Sequence, residues 1–267
     1  MDLGIRHKTA FVMGGSKGIG QAVARELARA GCNVAIAARN DADLDAEVKA
    51  LREIGAQAIG IRADLSDPRA FEPVFETMRA SLGPADIAIF SPPQPPTGSF
   101  IDLEPELFEK ALSEVVLAFI HMVRLVYPHM REKSWGRIVT IGSMVTKQPA
   151  RGGLGFDYAL ANISRSAAAS ASKTISAELA PFGITVNTVA PGSIDTISSR
   201  TFREELADSS GARQEQLLEM LMASTPARRI GQPSEVAGLV AYLCSVQAGF
   251  TTGETILCDG GLANCIV

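Results

Sequence analysis

Thr9-Ala-Phe-Val-Met-Gly14-Gly-Ser-Lys-Gly18-Ile-Gly20-Gln21, continuing as an amphipathic run to Ala30, is the stretch on which the fold turns. An apolar, strand-like segment runs straight into glycines spaced GxxxGxG, and these open a helical pattern. Gly14, Gly18 and Gly20 allow the backbone to turn sharply, to approach a diphosphate closely and to pack a helix tightly on a strand. The unpaired amides and positive dipole end of that helix then suit an anion, so strand, loop and helix together read as a phosphate cradle. Ser16, Lys17 and Ile19 lie in the same loop and are grouped with the three glycines as binding residues.

Outward from this unit, short β-rich runs alternate with longer helical patterns almost to the chain end. Strands are predicted at Thr9–Met13, Asn33–Ala38, Ala58–Ala63, Ile87–Phe90, Arg137–Ile141, Thr185–Ala190 and Thr255–Cys258. Alternation of this kind implies an α/β fold: a Rossmann-type, doubly wound parallel sheet of about seven strands with helices on both faces. Residues 1–267 read as one domain. Two segments break the rhythm. Ser91–Gly98 (SPPQPPTG) carries four prolines, which makes it a stiff loop at a strand end. Residues 195–228 are charged and loosely helical and read as a substrate lid.

Composition excludes several function classes. Hydrophobic residues at 46% and charged residues at 20% match a globular protein with a large core, and a net charge of -4 supplies no basic field for nucleic acid. Cys32, Cys244, Cys258 and Cys265 lack metal-finger or CxxC spacing and read as reduced and unpaired. His7, His121 and His129 do not stand at ligand spacing with carboxylates or thiols, so no metal is expected. No signal peptide and no apolar run of membrane-spanning length are evident, which makes the cytoplasm the expected compartment and leaves a membrane out of the expected partners.

Cofactor choice is legible at the end of the second strand. A carboxylate there would accept the ribose hydroxyls of NAD and repel a 2′-phosphate, but the chain has Ala38 and Arg39. Arg39, helped by Lys17, is expected to hold the 2′-phosphate of NADP(H).

With these features the sequence resembles the short-chain dehydrogenase/reductase family over essentially its whole length. Asp64-Leu65 is similar to that family's adenine-contacting pair, and Asn187-Thr-Val-Ala-Pro191-Gly192 to its nicotinamide-side turn. The resemblance implies that the Ile194 backbone and the Thr196 hydroxyl hold the carboxamide, alongside Pro191 and Gly192. Arg229-Ile-Gly-Gln-Pro233-Ser-Glu235-Val, with Thr252-Gly253 through Asp259-Gly260-Gly261, is similar to the family's C-terminal signature. A homo-oligomer, tetramer or dimer, is implied in the same way.

The catalytic positions depart from the family pattern. Ser143, after Gly136-Arg-Ile-Val-Thr-Ile-Gly, stands where the resemblance puts the carbonyl-polarising serine. Val115 replaces the relay asparagine, and Phe90-Ser91-Pro92-Pro93 replaces the usual asparagine, alanine and glycine run. Ala161 and Arg165 occupy the positions of the usual tyrosine and lysine. Tyr158 is followed by Asn162 and Arg165 four and seven residues on, so that all three share one helical face. A tyrosine preceding its basic partner by seven resembles the enoyl-reductase branch, although arginine here replaces lysine. Arginine keeps a positive charge toward the nicotinamide ribose but does not pass on a proton. Ser143, Tyr158 and Arg165 are therefore the candidate catalytic residues, with Arg165 also a candidate cofactor contact. Reduction of a carbonyl or 3-oxoacyl-type small molecule by NADP(H) is the leading expectation. Reduction of an activated C=C bond, or a catalytically silent NADP(H)-binding sensor or partner subunit, are the alternatives.

Overall fold

The computed structural model describes residues 2–64, 66–150, 157–210 and 213–266. Leu65, expected at the adenine, lies outside the described residues. β1 (Thr9–Met13) is buried at every position and pairs in parallel with β2 (Asn33–Ala38) on one side and β4 (Ile87–Phe90) on the other. With β3 (Ala58–Arg62), β5 (Gly136–Ile141), β6 (Ile184–Pro191) and β7 (Thr255–Cys258), the sheet runs β3-β2-β1-β4-β5-β6-β7, parallel throughout. The expected strands are thus all present, with ends shifted by one residue at three of them. Strand order reverses between β1 and β4, and the crevice beyond their carboxyl ends is where folds of this kind bind ligands.

Strand alternation sorts side chains into two cores. Val12, Ile36, Ile89, Val139 and Val189 face α1 (Gly18–Arg29), α2 (Asp41–Glu53) and α9 (Pro233–Cys244). Phe11, Ala35, Ala88, Ile138 and Val186 face α3 (Phe71–Leu82), α5 (Ala118–Glu132) and α6 (Ala159–Leu179). Phe11 stacks on Phe75 at 4.6 Å between ring centroids, and Phe90 on Phe119 at 5.5 Å. Truncating such a fully buried ring to alanine costs about 3–5 kcal/mol.

α4 (Pro105–Leu112) continues into α5 through one π-turn, Ser113–Leu117. Contrary to the sequence expectation, this continuous helix, Pro105–Glu132, is long enough to cross a membrane and holds an 18-residue stretch with a mean hydropathy of 1.5. Its Phe119, Met122, Val126 and Met130 are instead packed on the sheet, which accounts for the apolar stripe. Residues 195–228 form α7 (Ile197–Ser210) and α8 (Gln214–Ser224), with a small apolar cluster of their own at Leu206, Ala207 and Leu217.

Candidate functional site

The glycine loop has the conformation its sequence requires. Gly14 and Gly18 lie in the left-handed region at φ of 67° and 58°. A Cβ on Gly20 would lie 2.3 Å from the Gly14 carbonyl oxygen, so the first turn of α1 can close on the loop only with glycine there. Gly15, which the GxxxGxG reading missed, is equally constrained, its Cβ falling 2.5 Å from Ile36 Cγ2; the doublet Gly14-Gly15 was the available signal. Lys17 begins the helix without a side-chain cap, which leaves the first amides of α1, including those of Ile19 and Gly20, for an anion. Ser16 is buried in the loop. On its two flanks the loop meets Ser91, beyond β4, and Thr196: a Cβ on Gly14 would lie 3.3 Å from Ser91 O, and one on Gly18 would lie 3.5 Å from Thr196 Cγ2. Substituting Gly20 with alanine is expected to weaken NADPH binding at least tenfold, read by fluorescence titration. Unaltered affinity would show that the loop can open without loss.

At the β2 end, Arg39 is exposed. Asp64, beyond β3, accepts from Ser66 Oγ at 2.7 Å and Ser66 N at 3.1 Å. Those hydrogen bonds, with the nearby charge of Arg39, hold its carboxyl below the usual range. Lys17, expected to help Arg39 with the 2′-phosphate, pairs its ammonium with Asp43 at 2.7 Å. The reason is helix capping. Asn40 accepts from Asp43 N and fixes the first turn of α2, where the dipole favours an acid, and from there Asp43 reaches Lys17.

On the other side, Pro191 ends β6 opposite Cys258, and Gly192 N donates to Cys258 O at 3.1 Å. A Cβ on Gly192 would fall 2.8 Å from Asp259 Cβ. Ile194 bridges Gly231 through its neighbours, Gly231 N donating to Ser193 O and Asp195 N to Gly231 O, so the Ile194 amide faces away from Gly231. Thr196 Oγ1 accepts from Ser199 N at 3.0 Å at the start of α7, and its hydroxyl proton is left to donate.

Ser143 follows β5 and caps a short turn, Met144–Thr146, its Oγ accepting a long 3.4 Å hydrogen bond from Val145 N. Its own hydroxyl proton stays available. That turn packs against α6, whose first residues carry the other candidates. Tyr158 caps α6 and makes a parallel bridge to Gly98 at the end of the proline loop. Its ring lies 6.4 Å from that of Phe202 on α7, and burial pushes its phenol up to about 12. Ala161, expected in the place of the usual tyrosine, is buried. Val115, expected in the place of the relay asparagine, is fully buried in the π-turn, which packs on α6.

Arg165 is placed differently from expectation. Its Nη1 donates to Ile141 O at 3.1 Å, and its Nη2 donates to Pro93 O at 2.9 Å and Pro92 O at 3.4 Å. Nε is buried without a hydrogen-bond partner, and the residue is 5% exposed. Burial pulls the guanidinium down to about 10. Asn162 was legible as a neighbour on the same face; its pairing with the Ala150 main chain was not.

A family model described as enoyl-(acyl carrier protein) reductase matches residues 14–263. A mouse protein named dehydrogenase/reductase SDR family member 4 is 32% identical over 96% of this chain and 88% of its own length. The chain belongs to the short-chain dehydrogenase/reductase family. Within that short-chain family, a putative ketoacyl reductase of the monensin polyketide synthase from Streptomyces virginiae is 33% identical, over 96% of this chain and 97% of its own. The crystal structure of L-sorbose reductase from Gluconobacter frateurii, complexed with NADPH and L-sorbose, superposes with a TM-score of 0.93 at 27% identity, covering 100% of both chains. The resemblance read from the glycine loop and the 187–192 turn is thereby borne out, and so is the α/β sheet.

Proposed function

We propose that this short-chain family member is an NADPH-dependent reductase of a small carbonyl compound. The observation that carries the reading is the half-buried Ser143 hydroxyl, its proton uncommitted, at the end of β5 beside the switch-point crevice. The NADPH complex of the sorbose reductase and the ketoacyl-reductase relative support the cofactor and the reaction. The residues present fit a dinucleotide with a 2′-phosphate. The first amides of α1 receive the diphosphate, Arg39 the 2′-phosphate, and the turn from Pro191 to Thr196 the carboxamide. Bound there, NADPH supplies the hydride. Ser143 Oγ donates a hydrogen bond to the carbonyl oxygen as its charge grows, and the Tyr158 phenol delivers the proton.

α7 and α8 act as a lid on the site within a single 1–267 domain, a reading supported by the Tyr158–Phe202 ring contact and by the lid's separate apolar cluster. The protein works on its small-molecule substrate in the cytoplasm as a homo-oligomer, without nucleic acid or membrane partners. The net charge of -4 supports the lack of a nucleic-acid partner, and the packing of Pro105–Glu132 on the sheet supports the lack of a membrane one. The description of the matching family model favours a second reading, reduction of an activated C=C bond. It is weakened by Arg165, whose terminal nitrogens donate to the carbonyls of Ile141 and Pro93.

The test of cofactor and reaction together is NADPH and NADH consumption over a panel of ketones. Turnover is expected with NADPH preferred, and Arg39→Asp is expected to lower kcat/KM for NADPH about 10- to 100-fold by removing a charge-assisted phosphate contact. An unchanged preference in that variant would assign the 2′-phosphate to another group.

A further inference from the structure

The loops that bound the crevice converge on one face of α6. At its head Gly98 N donates to Asp157 O at 2.8 Å, and Ala159 N donates to Gly98 O at 3.4 Å, so the proline loop ends in a strand-like bridge. One turn on, the Asn162 carboxamide meets both main-chain groups of a single residue. Ala150 N donates to Oδ1 at 3.1 Å and Nδ2 donates to Ala150 O at 2.9 Å, the two-point pairing a neighbouring strand would make. One turn further, the Arg165 fork spans two loops, taking Ile141 O from the end of β5 and the Pro92 and Pro93 carbonyls from the loop after β4.

The chemistry of these groups explains the choice of residues. Pro92 and Pro93 lie past the last ladder residue of β4; the Pro92 carbonyl sits in a buried contact and needs a donor from elsewhere, and the part-buried Pro93 carbonyl shares that donor. A planar guanidinium reaches carbonyls on two sides at once, whereas a lysine ammonium is a point donor. Among the described residues no carboxylate pairs with Arg165, so the three carbonyl dipoles are what compensate its buried charge. Asn162 is suited in the same way, because only a carboxamide offers one donor and one acceptor side by side.

We infer that Asn162 and Arg165 are positioning residues, clamping the β4 and β5 loops to α6 and so setting Ser143 against Tyr158, with Arg165 acting on the substrate wall instead of on the cofactor. The catalytic consequence rests on the proposed carbonyl reduction; the clamp rests on the hydrogen bonds alone.

Asn162→Asp and Arg165→Lys in the full chain test this. The aspartate keeps the acceptor for Ala150 N but sets an anion against Ala150 O; the lysine keeps the charge and loses the fork. Four readouts are needed: amide hydrogen exchange at Ala150, Thr97 and Gly98, the NADPH Kd, kcat and KM, and the enantiomeric ratio of alcohol from a prochiral ketone. Exchange should accelerate at least tenfold at Ala150 in Asn162→Asp and at Thr97 and Gly98 in Arg165→Lys. The NADPH Kd should stay within about twofold, while kcat falls about 10- to 100-fold. The enantiomeric ratio should erode, which simple loss of folded protein would not cause. An NADPH Kd weakened tenfold in Arg165→Lys, with exchange and enantiomeric ratio unchanged, would overturn the inference and make Arg165 a cofactor contact. Wild-type exchange and kcat in both variants would overturn the clamp. If the wild-type chain reduces no ketone, the carbonyl reading fails separately, and the exchange pattern still decides the clamp.

Discussion

Replacing Tyr158 by phenylalanine is expected to lower kcat for carbonyl reduction about 10²- to 10⁴-fold, the range spanned by a positioned general acid. Phenylalanine keeps the ring that meets Phe202, so the packing at the head of α6 survives and only the hydroxyl is lost. The same group sets a pH dependence. Burial raises the phenol to about 12, so the neutral, proton-donating form predominates at every lower pH. Tyr158 therefore imposes no alkaline fall on the reductive rate until the pH approaches about 12. In the oxidative direction the phenolate is the required form, so that rate should rise about tenfold per pH unit over the accessible alkaline range. Single-turnover rates with excess NADPH measure the reductive direction, and those with excess NADP+ and the alcohol measure the oxidative one. A reductive rate in Tyr158→Phe equal to wild type, with chemistry limiting, would remove Tyr158 from the mechanism.

Ser143→Ala is expected to cost about 10²- to 10³-fold in kcat, the usual loss when one preorganised donor to a developing oxyanion is deleted. Ser143 lies just past the last strand residue of β5, Ile141, and among the described residues its Oγ is engaged only as the acceptor of a long bond from Val145 N. Removing the hydroxyl therefore leaves the turn Met144–Thr146 held by Thr146 N and Oγ1 donating to Ser143 O. NADPH affinity and melting temperature should stay close to wild type. A variant with matched loss of NADPH affinity would point to a cofactor or folding role in place of substrate polarisation.

The parts of this molecule that repeat a local rule were legible in the chain. Short, continuous apolar, β-rich runs marked the strands, and Gly14, Gly18 and Gly20 marked the cradle because positive φ at the first two and close backbone approach at the third favour glycine there. Arg39, standing where a carboxylate would select NAD at the end of the second strand, marked the cofactor in the same local way. Contacts made across the fold were not legible. Asp43 captures Lys17 from the first turn of α2, after β2 in the chain, and nothing in the glycine loop foretells that partner. Arg165 looked like a lysine substitute aimed at ribose because helical spacing gives a face and not a depth; its depth beneath Pro92 and Pro93 follows from how α6 packs on β5. The apolar run before Glu132 was underestimated because the π-turn and scattered charges interrupt it without interrupting the helix.

The most direct test of carbonyl reduction is the product formed from an α,β-unsaturated ketone and NADPH. The structure predicts the allylic alcohol, with the C=C bond intact and one NADPH consumed per alcohol. The saturated ketone as sole product, or tight NADPH binding with no consumption over ketones and enones alike, would contradict it.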